Sequence, residues 1–131
     1  MRHIAILRQP FFDMVLNGEK TIESRWALHK VAPFNKIKQG DLILLKETGK
    51  PVNATAIAGR VEFFELTPKI AEDIKSKWGK EIGTDKFANW EEILTKKYCT
   101  LIWLKDVKRI APLKVKRSSG AGWIVLDDVE N

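Results

Sequence analysis

Three charged side chains in one short stretch are of the types that proton and phosphate chemistry uses together. In Leu16-Asn17-Gly18-Glu19-Lys20-Thr21-Ile22-Glu23-Ser24-Arg25, a lysine, a glutamate and an arginine follow each other closely. On an extended strand alternate side chains share a face, so Thr21, Glu23 and Arg25 point one way while Ile22 and Ser24 point the other. Neighbours on that face stand about 6.5–7 Å apart, close enough for Glu23 to pair with Arg25 directly or through water. A lysine beside an arginine loses proton affinity, and a carboxylate restores it. Lys20 could thus serve as a general base, Glu23 could shuttle a proton, and Arg25 could neutralise a phosphate or a developing oxyanion. The plain alternative is a Glu23–Arg25 salt bridge that closes a barrel, with Lys20 in solvent.

Other residues could join such a site. Arg8 ends the first apolar stretch, and a strand end in a barrel often reaches a cleft mouth. Trp26 directly follows the charged row and could stack on an unpaired base. Lys46 and Glu47 end a later strand, as site members or as a surface pair. Lys116, Arg117, Ser118 and Ser119 precede Gly120-Ala121-Gly122, where loop amides, hydroxyls and cations could hold a phosphate. A hairpin turn explains that loop equally. Trp103 sits among Leu101, Ile102 and Leu104 and reads as core, as do Trp78 and Trp90 at helical spacing. His3 and His29 have no serine or cysteine partner at a recognisable spacing, and Cys99 in an apolar run reads as a small core residue.

These side chains need elements to position them. His3–Leu7 is a short apolar strand. Pro10 suits a first helical turn, Phe11, Met14 and Val15 share a buried face, and Gly18 stops the helix. Thr21–Trp26 has strand propensity. Residues 27–40 form a long loop, Asp41–Lys46 a buried strand, and Asn53–Leu66 a long strand that bends at Gly59. Thr67-Pro68 caps a helix expected to run to about Trp78 and to end at Gly79. Residues 86–97 suggest another helix. Tyr98–Leu104 is a strand that Val107–Ile110 continues after a kink, and Pro112–Val115 and Trp123–Leu126 are the last strands. About six strands and three helices give an α+β fold with a curled or closed sheet.

The 131 residues fit a single domain spanning 1–131. Hydrophobic residues are 44% and charged residues 31%, which excludes a disordered or collagen-like chain. No apolar run is long enough to span a membrane as a helix. One cysteine cannot form an internal disulfide, and with two histidines it leaves almost no ligands for a structural metal. No metal or cofactor is expected, and the compartment expected is the reducing cytoplasm. Lysine and arginine total 23 against 17 aspartates and glutamates, a net charge of +6. Residues 51–100 hold eight of each sign, so the excess lies at the two ends of the chain. A basic surface made by those ends favours a polyanion partner such as RNA.

Gly18, Lys20, Glu23 and Arg25 together match a pattern GxKxxExR, and this stretch resembles the signature of the ASCH domain family, a branch of the PUA-like superfamily. The order of strand, short helix and signature strand is similar too, as are Gly40-Asp41 entering an apolar strand and the late Gly122-Trp123. The resemblance implies a small PUA-like β-barrel with flanking helices and a cleft beside the signature. It implies RNA or a nucleotide as ligand, and the cleft expected for it is lined by Lys20, Glu23 and Arg25, with Arg8, Thr21, Trp26, Lys46, Arg117 and Ser119 as the further binding candidates of the residue reading above. Some members resemble hydrolases of acylated cytidine nucleosides or act on RNA, so a hydrolase or ribonuclease using Lys20, Glu23 and Arg25 is the alternative. In the acylcytidine branch a threonine nucleophile stands where this chain has Glu23; the lysine and arginine carry over, the nucleophile does not. A non-catalytic regulatory or interaction module is the third option.

Overall fold

The computed structural model describes residues 1–115 and 121–126. Along them run β1 (Arg2–Leu7), α1 (Phe11–Asn17), β2 (Ile22–Ala27), β3 (Leu42–Glu47), β4 (Val52–Glu65), α2 (Pro68–Ile82), α3 (Trp90–Ile93), β5 (Tyr98–Leu113) and β6 (Trp123–Leu126), with a 3₁₀ turn at Thr84–Lys86. The strands form one sheet in the order β2-β5-β4-β3-β1-β6. Only β1 and β3 run parallel. The sheet curls into a half-barrel, with β2 and β6 as its two edges. Among the described residues no ladder joins them. The fold is the expected α+β, barrel-like arrangement with flanking helices. No helix in it is long and apolar enough to cross a membrane.

Alternation along the strands divides the apolar side chains between two sides of the sheet. The inner cluster joins Ala5, Leu7, Ile43, Leu45 and Ile102 to Phe11, Phe12 and Trp123, and the small Ala54, Ala56 and Ala58 of β4 leave room for those rings. On the other side Ile22, Cys99 and Leu101 pack against Ala71, Ile74 and Ile82 of α2. Both expected bends are present as bulges. Ala58 pairs with Leu104 and Val61 with Ile102, so β4 carries an extra residue beside Gly59, where a Cβ would lie 3.0 Å from the Trp103 carbonyl oxygen. Ile57 pairs with Lys105 and Thr55 with Lys108, so β5 carries its extra residue at Asp106, whose φ is +53°.

Four boundaries differ from the sequence reading. β5 continues past the expected kink after Leu104, and past Ile110, as one strand to Leu113. Pro112 is absorbed into it near a register shift instead of opening a new strand. Residues 86–97, expected as one helix, hold only the last residue of the 3₁₀ turn and the single turn of α3 at Trp90–Ile93. α2 begins where expected, with Thr67 Oγ1 accepting from the Ile70 amide at 3.2 Å, but it passes Gly79 and ends at the left-handed Gly83. Gly79 serves close approach instead of termination: a Cβ there would lie 2.7 Å from Thr84 Oγ1.

Alanine in place of a helical glycine ordinarily adds roughly 0.5–1 kcal/mol of stability. Gly79→Ala is expected to lose about 1–3 kcal/mol instead, through overpacking, and Thr84→Ala in the same chain should recover part of the loss. Urea unfolding midpoints of the three variants test this; a simple gain for Gly79→Ala would refute the contact.

Candidate functional site

The turn after α1 buries the lysine that sequence alone leaves free to reach solvent. Gly18 takes φ +86°, and the Lys20 amide donates back to the Met14 carbonyl at 2.9 Å. Lys20 is 3% exposed. Its Nζ donates to the carbonyls of Ile22 (2.9 Å) and Ile82 (2.5 Å), stands 3.4 Å from Glu23 Oε1, and lies 5.4 Å from the centre of the Phe11 ring. Three acceptors therefore meet its three N–H groups. Burial pushes its pKa below the ordinary lysine value, with Glu23 opposing.

Glu23 is buried and fully engaged. Oε1 accepts from the Ser24 amide at 2.9 Å; Oε2 accepts from Arg25 Nη2 at 2.8 Å and Nε at 3.2 Å. Burial works against its charge, but Arg25, Lys20 and the Ser24 amide outweigh it and hold the carboxyl below the ordinary glutamate range. Arg25 then reaches across the gap between the sheet edges. Nη2 donates to the Ile6 carbonyl of β1 at 3.0 Å and Nη1 to the Gly122 carbonyl before β6 at 3.1 Å. Its guanidinium lies 5.2 Å from the centre of the Trp123 ring. The salt bridge of the structural alternative is thus present, and Arg25 spans by side-chain bonds a gap that no ladder closes among the described residues, while Lys20 is buried.

Behind Trp123 is a contact the sequence does not signal. Trp123 Nε1 lies 3.1 Å from His3 Nδ1, and His3 Nε2 lies 2.8 Å from Asp41 Oδ2. An indole N–H can only donate, so Nδ1 accepts and Nε2 carries the proton given to Asp41. Burial opposes the Asp41 charge, but the His3 bond and the Lys38 amide hold its pKa low. His3 and Asp41 are 38 residues apart and meet because β1 lies beside β3. Cys99 is buried, and burial pushes its thiol pKa up, so it stays protonated in the core. Among the described residues no three His, Cys, Asp or Glu side chains cluster as metal ligands.

A cleft of about 550 Å³ opens beside this network. Arg8, Lys20, Glu23, Arg25 and Trp26 line it. Ser24 lines it as well, whereas Thr21 is exposed and outside it. Side chains from both faces of β2 therefore border one hollow, which places the hollow off the open edge of the strand instead of over one face. That is why the expected row of Thr21, Glu23 and Arg25 is not the site's layout. Lys46 is buried at the end of β3, outside the lining, and Glu47 is outside it too; Thr48 lines the cleft in their place. Arg117 and Ser119 lie outside the described residues, though Ala121 and Gly122 of the same loop border the cleft.

The segment 84–97 supplies residues that sequence reasoning missed: Phe87, Asn89, Glu92 and Lys96. Read as a short helix over 86–97, it gives no reason to face a site. Phe87 stands edge-on to Phe11 (5.8 Å) and Trp26 (6.4 Å), and Trp90 supports Trp26 at 5.8 Å. Trp26 Nε1 donates to Ser24 Oγ at 2.9 Å, which fixes the indole. Trp78 and Trp103 pack together, partly buried, against the α2 cluster, with Arg60 4.3 Å from the centre of the Trp103 ring.

Glu23→Gln removes the anion between two cations and is expected to cost about 3–5 kcal/mol at pH 7. Because the folded pKa of Glu23 is depressed, its stabilisation is complete above the unfolded value of about 4.3 and is lost as pH falls through the lower folded value. The gap between wild-type and Glu23→Gln unfolding midpoints should narrow on acidification below about pH 4. A gap that stays constant would contradict an ionised Glu23.

Comparison with protein families matches the ASCH domain over residues 6–117. A search of curated proteins finds no match. Among solved structures, ASCH from Zymomonas mobilis superposes with a TM-score of 0.69 at 16% identity, covering 98% of this chain and 90% of the other. A substituted form of that protein gives 0.68 at 15% identity, covering 97% and 91%. A hypothetical protein gives 0.54 at 14%, covering 80% and 98%. At such identities the solved structures speak for the fold alone, while the family match spans most of the residues described above: the chain belongs to the ASCH domain family.

Proposed function

We propose that the cleft binds an unpaired nucleotide, either within single-stranded RNA or free, and that Arg8, Lys20, Glu23, Arg25 and Trp26 form the core of that site. The observation that carries this reading is the pairing of an aromatic wall, Trp26 and Phe87, with a cationic rim, Arg8 and Lys96, around one hollow. Unpaired bases stack on aromatic side chains, and cations hold the flanking phosphates. The volume falls in the range of about 300–1,000 Å³ of small-ligand sites. Membership of the ASCH family and the net positive charge support a nucleic-acid ligand. Arg8 is exposed at the rim, 5.7 Å from the Phe11 ring centre, and is suited to a phosphate. Glu23 and Lys20 act here as a scaffold: a carboxylate with both oxygens engaged and a lowered pKa is a weak base.

One observation favours a second reading, a hydrolase of acylated cytidine or a ribonuclease. Lys20 borders the cleft with a lowered pKa, as a general base requires. To act it must give up one of its acceptors when the ligand enters.

Titration with short single-stranded RNA, followed by tryptophan fluorescence, should saturate at physiological salt. Trp26→Ala should weaken binding by about 5–150-fold, the equivalent of roughly 1–3 kcal/mol per stacked base. Arg8→Ala should lower the salt slope by about 0.7. Arg60→Ala, on the Trp78–Trp103 side, should change neither. No saturation with RNA or mononucleotides would remove the proposal, and turnover lost in a folded Lys20→Ala variant would move it to the second reading.

A further inference from the structure

The open edge of β2 carries more than side chains. Facing β5, the carbonyls of Thr21 and Ala27 accept from the amides of Leu104 and Lys97. The Ile22 carbonyl and the Ser24 amide turn the other way, to Lys20 Nζ and Glu23 Oε1. In an antiparallel ladder this direction alternates residue by residue. The Ser24 carbonyl and both main-chain groups of Trp26 therefore also face outward, along the edge that borders the cleft. Among the described residues none of the three has a hydrogen-bond partner. The Ser24 hydroxyl, on a residue 9% exposed, accepts from the Trp26 indole and keeps its own proton to donate.

Two chemistries could use such an edge, an added peptide strand or a planar group with its own donors and acceptors. An added strand needs an unbroken run of main-chain groups. Here Lys20 and Glu23 occupy the first two positions of the run, which blunts the edge against strand addition. A planar group needs only the part left open. The side chains on either side suit it: Trp26 and Arg25 project from opposite faces of the strand, so a flat ring lying in the strand's plane would have an indole on one side and a guanidinium on the other. Both are surfaces on which bases stack.

Resting on the nucleotide reading of the cleft, we infer that its ligand is recognised through the hydrogen-bonding edge of its base. The base enters edge-on, donates to the Ser24 carbonyl, accepts from the Trp26 amide, and lies between the Trp26 indole and the Arg25 guanidinium. The Ser24 hydroxyl is a third contact. The protein on this account discriminates against bases whose pairing edge is blocked, and against backbone without a base.

The test uses labelled single-stranded hexaribonucleotides that carry at one central position each of the four bases, the same base methylated on its Watson–Crick edge nitrogen, or no base. For at least one base, methylation and base removal should each weaken binding by about 5–150-fold, the range for one bidentate base contact. The backbone amide resonance of Trp26 should shift on adding the unmodified RNA, in wild type and in Ser24→Ala alike. If every methylated or abasic RNA binds as well as its parent, base-edge recognition is wrong while nucleotide binding in the cleft stands. If no hexanucleotide binds, both fail.

Discussion

A single buried carboxylate holds the two lips of the cleft in place. Moving a carboxylate and its cations out of water costs several kcal/mol per ion, and the cost is offset only when every partner is well placed. Glu23 meets that condition with the Ser24 amide, the Arg25 fork and nearby Lys20. Lys20 in turn secures the end of α2 through the Ile82 carbonyl, and Arg25 secures β1 and the approach to β6. The network thus does by side chains what a ladder does elsewhere in the sheet: it fixes the distance between β2 and the opposite edge. The Trp123–His3–Asp41 chain extends that bracing from the Arg25 guanidinium back into the β1–β3 pair.

Much of the framework was legible in local chemistry. Gly18, the Thr67-Pro68 cap and Gly59 each impose a backbone constraint that acts within a few residues, and each sits where it was expected, while Pro10 stands just before α1 instead of in its first turn. The Glu23–Arg25 pairing was also legible in strand spacing, and Lys20, Glu23 and Arg25 all border the cleft. What failed were inferences that needed tertiary context. Gly79 looks like a helix stop until Thr84 is seen against it, and Lys46 looks like a site residue until it is seen buried at the end of β3, outside the cleft lining. Strand alternation correctly separated Glu23 and Arg25 from Ser24. It could not show that the cleft lies off the strand's edge, where both faces contribute. Nothing local announces that an edge is open; that follows from the order of all six strands.

The same geometry explains why bracing residues and cleft-lining groups are so closely interleaved. Adjacent residues of β2 divide the work: Glu23 and Arg25 brace the seam, while Ser24 and Trp26 present donors, acceptors and an aromatic surface. The Ser24 amide is tied to Glu23, and the Ser24 hydroxyl is tied to the Trp26 indole, so the order of the seam is transmitted directly to the groups along the cleft edge. A cleft formed this way needs no lid or hinge to be preorganised.

An interruption in the hydrogen-bonded perimeter also leaves the architecture unusually free to change what it grips. Widening or narrowing the gap requires new side chains at its margins but breaks no pairing between strands. Descendants of such a scaffold could exchange one guest for another by a few replacements, with strand order and folding left as they were.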